Sequence, residues 1–215
     1  MGVSERKLRE KSARKNAIIE AAEEVFFSKG IEKASMDEVA RVAELSKGTL
    51  YLYFKNKNAL YRAILRRAYT ALWEELRKID QNRGNGLQAV ILIAEAYVEY
   101  STTFPGYFEA ILHYENDVID IDNPEQESVK SIVAGNQVLE LIVEQIKRGI
   151  SDKSIKPDVD PVKTALVLWG QTTGMLQLLK SKNELLNHYY HLTEGALLEH
   201  LMSMIKASLE NNNKH

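Results

Sequence analysis

Apolar residues recur every three or four positions along most of this chain, the period of helices with one buried face. Ile18, Ile19, Ala21, Ala22, Val25 and Phe26 predict a first helix over residues 14–28, with Gly30 as a natural C-terminal stop. Met36, Val39, Ala40 and Ala43 continue the period, and Glu38 stands three residues after Ser35. At that spacing the hydroxyl takes the Glu38 amide while the carboxylate reaches back to the Ser35 amide, so Ser35 opens a second helix. Glu44-Leu45-Ser46 is short enough for a tight turn, and Ser46 can cap a third helix from Lys47 to Phe54. Leu60, Ile64, Leu65, Ala68, Leu72 and Leu76 predict a long helix from Lys57 to Asp80, followed by a polar loop over 81–86. Further apolar stripes place helices over 87–103, 107–114, 124–150, 161–180 and 187–209. Pro105-Gly106 breaks the first of these from the next, and residues 116–123 form an acidic loop. Pro124 and Pro161 suit first helical positions, the latter behind an Asp160 cap, and 151–159 reads as a loop. The tail from Glu210 to His215 is polar and expected to fray. With no strand-rich segment and no internal repeat, the fold class is all-α, with about nine helices.

Residues 35–54 carry the most specific chemistry, because two short helices about a tight turn form a helix-turn-helix. A core helix would not begin with Lys47, Gly48 and Thr49, whereas a recognition helix meets base edges with its N-terminal residues. Gly48 lets the backbone come close, Lys47 can reach a phosphate or guanine, and Thr49 can bond a base or touch a thymine methyl. Tyr51 and Tyr53 can give their hydroxyls to phosphate oxygens. The bland alternative is an ordinary two-helix corner in a helical domain.

The flanks weigh against that corner. The string IIEAAEEVFFSKGIEKASMDEVARVAELSKGTLYLYFKNKNALYRAIL resembles the N-terminal domain of the TetR family of bacterial transcriptional regulators. The resemblance runs without a gap from about residue 12 to 72 and includes Ala21-Ala22, Phe26, Gly30, Ser35, Ala40, Gly48, Leu50-Tyr51, Tyr53-Phe54 and Lys57. It implies a basic arm over 1–11, a DNA-binding domain over 12–72 and a larger helical domain over 73–210 for ligand binding and dimerisation. The implied DNA-binding residues are Ser35, Ser46, Lys47, Gly48, Thr49, Tyr51, Tyr53 and Lys57, the last near a phosphate.

Charge changes the picture in the same direction. Residues 1–67 hold fifteen Lys and Arg against nine Asp and Glu, whereas the rest holds thirteen against twenty-one. A basic end that approaches phosphates and an acidic end that does not is the footprint of a DNA-binding protein. Arg6, Lys7, Arg9, Lys11, Arg14 and Lys15 read as a basic arm ahead of the first helix, either a solvated tail or a source of extra phosphate contacts. The chain has no cysteine, so it has no disulfide framework and no Cys-based zinc site. It shows no apolar leader and no run approaching about 18 apolar residues, so a cytoplasmic protein without membrane contact is expected.

In the resembled family the last two helices pair with those of a second subunit, here about 161–180 and 187–209. They carry Leu166, Val167, Thr173, Gly174, Leu178, Gly195, Leu197, Leu198, Leu201 and Ile205. The family also implies a small-molecule pocket, for which the aromatic and polar residues Trp73, Tyr97, Tyr107, Phe108, Asn136, Glu140, Trp169 and Thr173 are the candidates. No cofactor is expected. His188 and His191, with Glu184 and Glu194 nearby, lack a third committed ligand for a metal and read as a solvated helix start. With no Gly-rich phosphate loop and no nucleophile elbow, catalysis is not expected. The expected function is a homodimeric repressor that leaves a palindromic double-stranded operator when an unidentified, apolar or amphipathic effector binds. The alternative is a nucleoid-associated or partner-binding DNA-binding protein whose larger domain docks a protein.

Overall fold

The computed structural model describes residues 3–79, 84–114 and 125–212. Among them are nine α-helices and a single isolated bridge between Ile155 and Glu210 in place of any strand. The helices are α1 (Val3–Lys29), α2 (Met36–Val42), α3 (Lys47–Tyr53), α4 (Lys57–Lys78), α5 (Gly86–Thr103), α6 (Pro105–Tyr114), α7 (Gln126–Ser151), α8 (Pro161–Tyr190) and α9 (Glu194–Leu209). Asp80, the polar residues 81–83, the acidic segment 116–123, Pro124 and the tail beyond 212 lie outside the described residues.

Three helices, α1, α8 and α9, differ from the sequence pattern, α9 beginning at Glu194 and not at 187. The basic arm is not a separate segment but the first turns of α1, which starts at Val3. Nothing between Ser4 and Lys15 breaks a helix, and Arg6 pairs with Glu10 one turn on at 2.8 Å. Likewise α8 does not stop at Lys180 but runs to Tyr190, so the break expected over 181–186 is absent. It ends where His191 turns left-handed at φ 56°, and Thr193 then caps α9 through the Ala196 amide. Segment 181–186 lacks Gly and Pro, and its polarity marks an exposed helix face.

The chain forms two compact units. The first is Met1–Tyr69 with Glu109–Ala134, and its core is built from Ile18, Ile19, Ala22, Val39, Leu50, Phe54, Leu60, Ile64 and Ile111. The second is Thr70–Phe108 with Gly135–His215, its core centred on Leu72, Leu76, Tyr100, Ile146, Ile155 and Ala165. In the second unit the start of α5 crosses the end of α7 at two glycines. A Cβ on Gly86 would lie 2.1 Å from the Gly149 nitrogen, and one on Gly149 would lie 2.4 Å from Ile155. Asp152 fastens this crossing by accepting the Gly86 and Ser154 amides at 2.7 and 3.0 Å.

Candidate nucleic-acid interface and interior cavity

In the first unit, α2 and α3 are set by their caps. Ser35 accepts the Glu38 amide at 3.3 Å and donates its own amide to the Glu38 carboxylate at 3.1 Å, the reciprocal pair expected. Lys29 bonds the same carboxylate and, with Ser35, holds it below the usual carboxylate range. Ser46 caps α3 by accepting the Thr49 amide at 3.1 Å, and its hydroxyl also meets the Thr49 hydroxyl at 2.8 Å. Between the helices Glu44 turns left-handed at φ 53°. Leu50 and Phe54 pin α3 to the core and are almost fully buried.

The remaining faces of α3 carry the predicted contacts. Lys47, Gly48 and Tyr51 are exposed, while Thr49 and Tyr53 are half-buried. Lys47 lies 2.7 Å from the Asp37 carboxylate of α2, which raises its pKa above the ordinary lysine value. Ser35 and Ser46 are engaged at helix starts, so their hydroxyls act by fixing the two helices. Lys57 differs more sharply from the phosphate contact expected of it. Its ammonium donates to the carbonyls of Ile31, Glu32 and Ala34 at 2.9, 3.1 and 3.2 Å, and so ties α4 to the turn before α2. Three carbonyls match the three protons of an ammonium, so in this structure the Lys57 charge is taken up by that turn.

Arg6, Lys7, Arg9, Lys11 and Arg14 stay exposed along α1, but Lys15 turns inward. It pairs with Glu127 of α7 at 2.7 Å and stands 5.1 Å over the Phe54 ring. Glu127 also takes Lys130 at 3.1 Å, and Asn56 donates to Glu125 at 3.2 Å. The start of α7 and the residue just before it therefore hold Lys15 of α1 and Asn56 between α3 and α4. Sequence reading missed this tie, since its partners are more than 60 positions apart and each resembles a solvated charge.

In the second unit a small apolar cavity of about 30 Å³ is lined by Leu76, Val90, Ile93, Ala94, Tyr97, Ile142, Leu168, Trp169 and Thr172. Tyr97 and Trp169, two of the residues expected in a pocket, line it and stack at 4.9 Å. Thr173 meets the Tyr97 hydroxyl at 3.2 Å, and Phe108 packs edge-on against Tyr97 at 6.0 Å. Four other candidates are elsewhere. Asn136 and Glu140 sit on the exposed face of α7, because its apolar stripe puts Val138, Leu141 and Ile142 inward instead. Trp73 carries Arg77 over its ring at 4.4 Å, and Tyr107 stacks on Phe104, both half-exposed and off the cavity wall. The aliphatic lining of α5 and α7 was missed because its helical period is that of any core. A wider open cleft of about 290 Å³ lies between the end of α4 and α5, lined by Glu75, Lys78, Ile79, Ala96, Glu99, Tyr100, Thr103 and Phe104. Burial, then the charges of Tyr107, Tyr97 and Glu75, push the Tyr100 hydroxyl pKa up.

Residues 18–64 match the family model described as bacterial regulatory proteins, tetR family. YhgD of Bacillus subtilis, named an uncharacterized HTH-type transcriptional regulator, is 31% identical over 163 residues, 72% of this chain and 78% of YhgD. The crystal structure of the transcriptional regulator FadR from Bacillus subtilis in complex with stearoyl-CoA is similar in fold. Its TM-score is 0.70 at 16% identity, over 89% of this chain and 97% of that one. AibR in complex with isovaleryl coenzyme A and operator DNA gives a TM-score of 0.66 at 20% identity, again over 89% and 97%.

Proposed function

Because this chain belongs to the TetR family of bacterial transcriptional regulators, we propose that it is a homodimeric, cytoplasmic repressor that leaves a palindromic operator when a small apolar or amphipathic molecule binds. The observation that carries this reading is α3, a pinned seven-residue helix with Lys47, Gly48 and Tyr51 exposed within the matched residues. Lys47, Gly48, Thr49, Tyr51 and Tyr53 are its DNA contacts, with Ser35, Ser46 and Lys57 fixing their geometry. One such helix reads few bases, so two heads about 34–36 Å apart are required for a two-fold operator. A second copy supplies the other head through α8, whose Leu166, Val167 and Leu178 are exposed while Leu168, Thr172, Leu176 and Leu179 face inward.

The effector enters at the cavity beside Tyr97 and Trp169. At about 30 Å³ the cavity has room for little more than water, whereas ligand pockets run to roughly 300–1,000 Å³. Binding therefore requires the second unit to open, and the opened form must differ in its fit to DNA, since tight binding alone shifts no equilibrium. The aliphatic walls suit an acyl chain, and the two structural relatives hold acyl-CoA molecules, so acyl thioesters are the ligand class of first choice. The same small cavity is what the alternative reading, a larger domain that docks a protein, would have.

The test is binding of the purified protein to the DNA just upstream of its own gene, against random DNA at matched salt. A preference of roughly a thousandfold or more, released by stearoyl-CoA or a shorter acyl-CoA, is expected. Specific binding that no acyl-CoA releases would remove the ligand class. Equal binding to both DNAs would favour the alternative.

A further inference from the structure

Leu52 is the most exposed large apolar side chain in the described structure, at 83%, and it stands in the last turn of a folded helix. Successive residues of a helix turn by about 100°, so Gly48 and Leu52, one turn apart, both fall within about 20° of the direction opposite Leu50. Leu50 is fully buried, so that direction points straight out from the unit. Tyr51 lies on one side of that line and Thr49 on the other. The outermost line of α3 is thus a residue without a side chain followed by a bare aliphatic one. A Cβ on Gly48 would meet only the Ser46 hydroxyl, at 3.9 Å, so the chain itself places no demand for the gap.

A helix that approaches DNA by this line brings its backbone close at Gly48 and buries Leu52 next to the base edges. The major groove offers one apolar group, the C5-methyl of thymine; every other feature there is a donor or acceptor that an aliphatic chain would strip of water. Resting on the DNA-binding reading above, we propose that Leu52 is a specificity-determining residue that reads a thymine methyl in each half-site. It favours thymine without a hydrogen bond, and it disfavours cytosine by desolvating the amino group without pairing it.

The experiment selects bound duplexes from a random-sequence library, then replaces each thymine of the enriched site in turn by deoxyuridine, which lacks only the methyl. One replacement per half-site should weaken binding by about fourfold, the value of a buried methyl group. Leu52→Ala should bind more weakly and be indifferent to that replacement, while Leu52→Met should keep the dependence. Because Leu52 is exposed, both variants fold, which circular dichroism checks. An enriched site whose thymines can all be replaced without cost overturns the assignment, as does an equal cost in wild type and Leu52→Ala. A library that yields no enriched sequence overturns the regulator reading itself, and this assignment with it.

Discussion

Gly48 is crowded by no neighbour inside the chain, for the Cβ it lacks would touch only the Ser46 hydroxyl, at an ordinary contact distance of 3.9 Å. Glycine costs a helix roughly 0.8–1 kcal/mol relative to alanine, so its presence in α3 is a local loss of stability with a reason outside the molecule. Gly48→Ala should therefore raise the thermal midpoint slightly while weakening operator binding, and a variant unchanged in both would remove the close-approach argument. Lys57 runs the other way. Its three carbonyl partners make Lys57→Met a stability lesion of about 1–3 kcal/mol, read by chemical denaturation. The salt slope of DNA binding should stay as in wild type, because no phosphate contact is lost. These two residues mark how far the sequence could be read. The capping box at Ser35 and the Ser46 cap are local, three residues across, and were legible; the carbonyls that claim Lys57 lie more than 20 positions away, and nothing in its flanks distinguishes a lysine facing phosphate from one facing a turn.

Among the elements, α7 does what its own sequence does not announce. Its first turn fastens α1 through Glu127–Lys15, and Glu125 just before it fastens the α3–α4 joint through Asn56. Further along, the same helix places Ile142 on the cavity wall of the second unit. Burial alone would raise the Glu127 pKa, but hydrogen bonds from Lys15 and Lys130 outweigh it and hold the carboxyl below the usual glutamate value. A depressed carboxyl contributes stability that is complete above its ordinary range and disappears as pH falls through the folded-state value. Stability should hence fall on acidification below about pH 4.5, and Glu127→Gln should flatten that fall while costing about 1.5–3 kcal/mol at neutral pH, the value of hydrogen bonds to a charged group. An acid unfolding profile that is parallel in the two proteins would count against the tie. The crossing of α5 and α7 gives a sterner case, since Gly149→Ala would drive a methyl into Ile155; a loss of about 1–3 kcal/mol or more in urea unfolding is expected. Helix periodicity made both elements legible, but periodicity fixes which face is inward and not which helix it meets, and so Asn136 and Glu140 read as pocket residues when their face is solvent.

At the scale of the whole molecule, a basic first third and an acidic remainder orient the protein on DNA, yet charge alone supplies binding without sequence preference. The proposed reading of a two-fold operator requires two heads, and α8 carries the exposed stripe that the proposed pairing would use. Along it Leu166, Gly170, Gly174, Leu178 and, further on, Leu185 recur about every four residues on the side opposite the buried Ala165, Leu168, Leu176 and Leu179. A Cβ added at Gly170 or Gly174 would meet nothing within 4 Å, so this stripe leaves room for a second helix to come close. Val167→Glu, at a position 57% exposed beside Leu166, should leave the protomer folded and put a charge on the proposed pairing face. Sedimentation should then show a monomer. Affinity for an operator with both half-sites should fall by about a hundredfold or more, because the second head no longer binds at high effective concentration, while affinity for a single half-site stays as in wild type. A variant that sediments as a dimer would move the interface away from α8, and a monomer that still binds the full operator as tightly would remove the need for two heads.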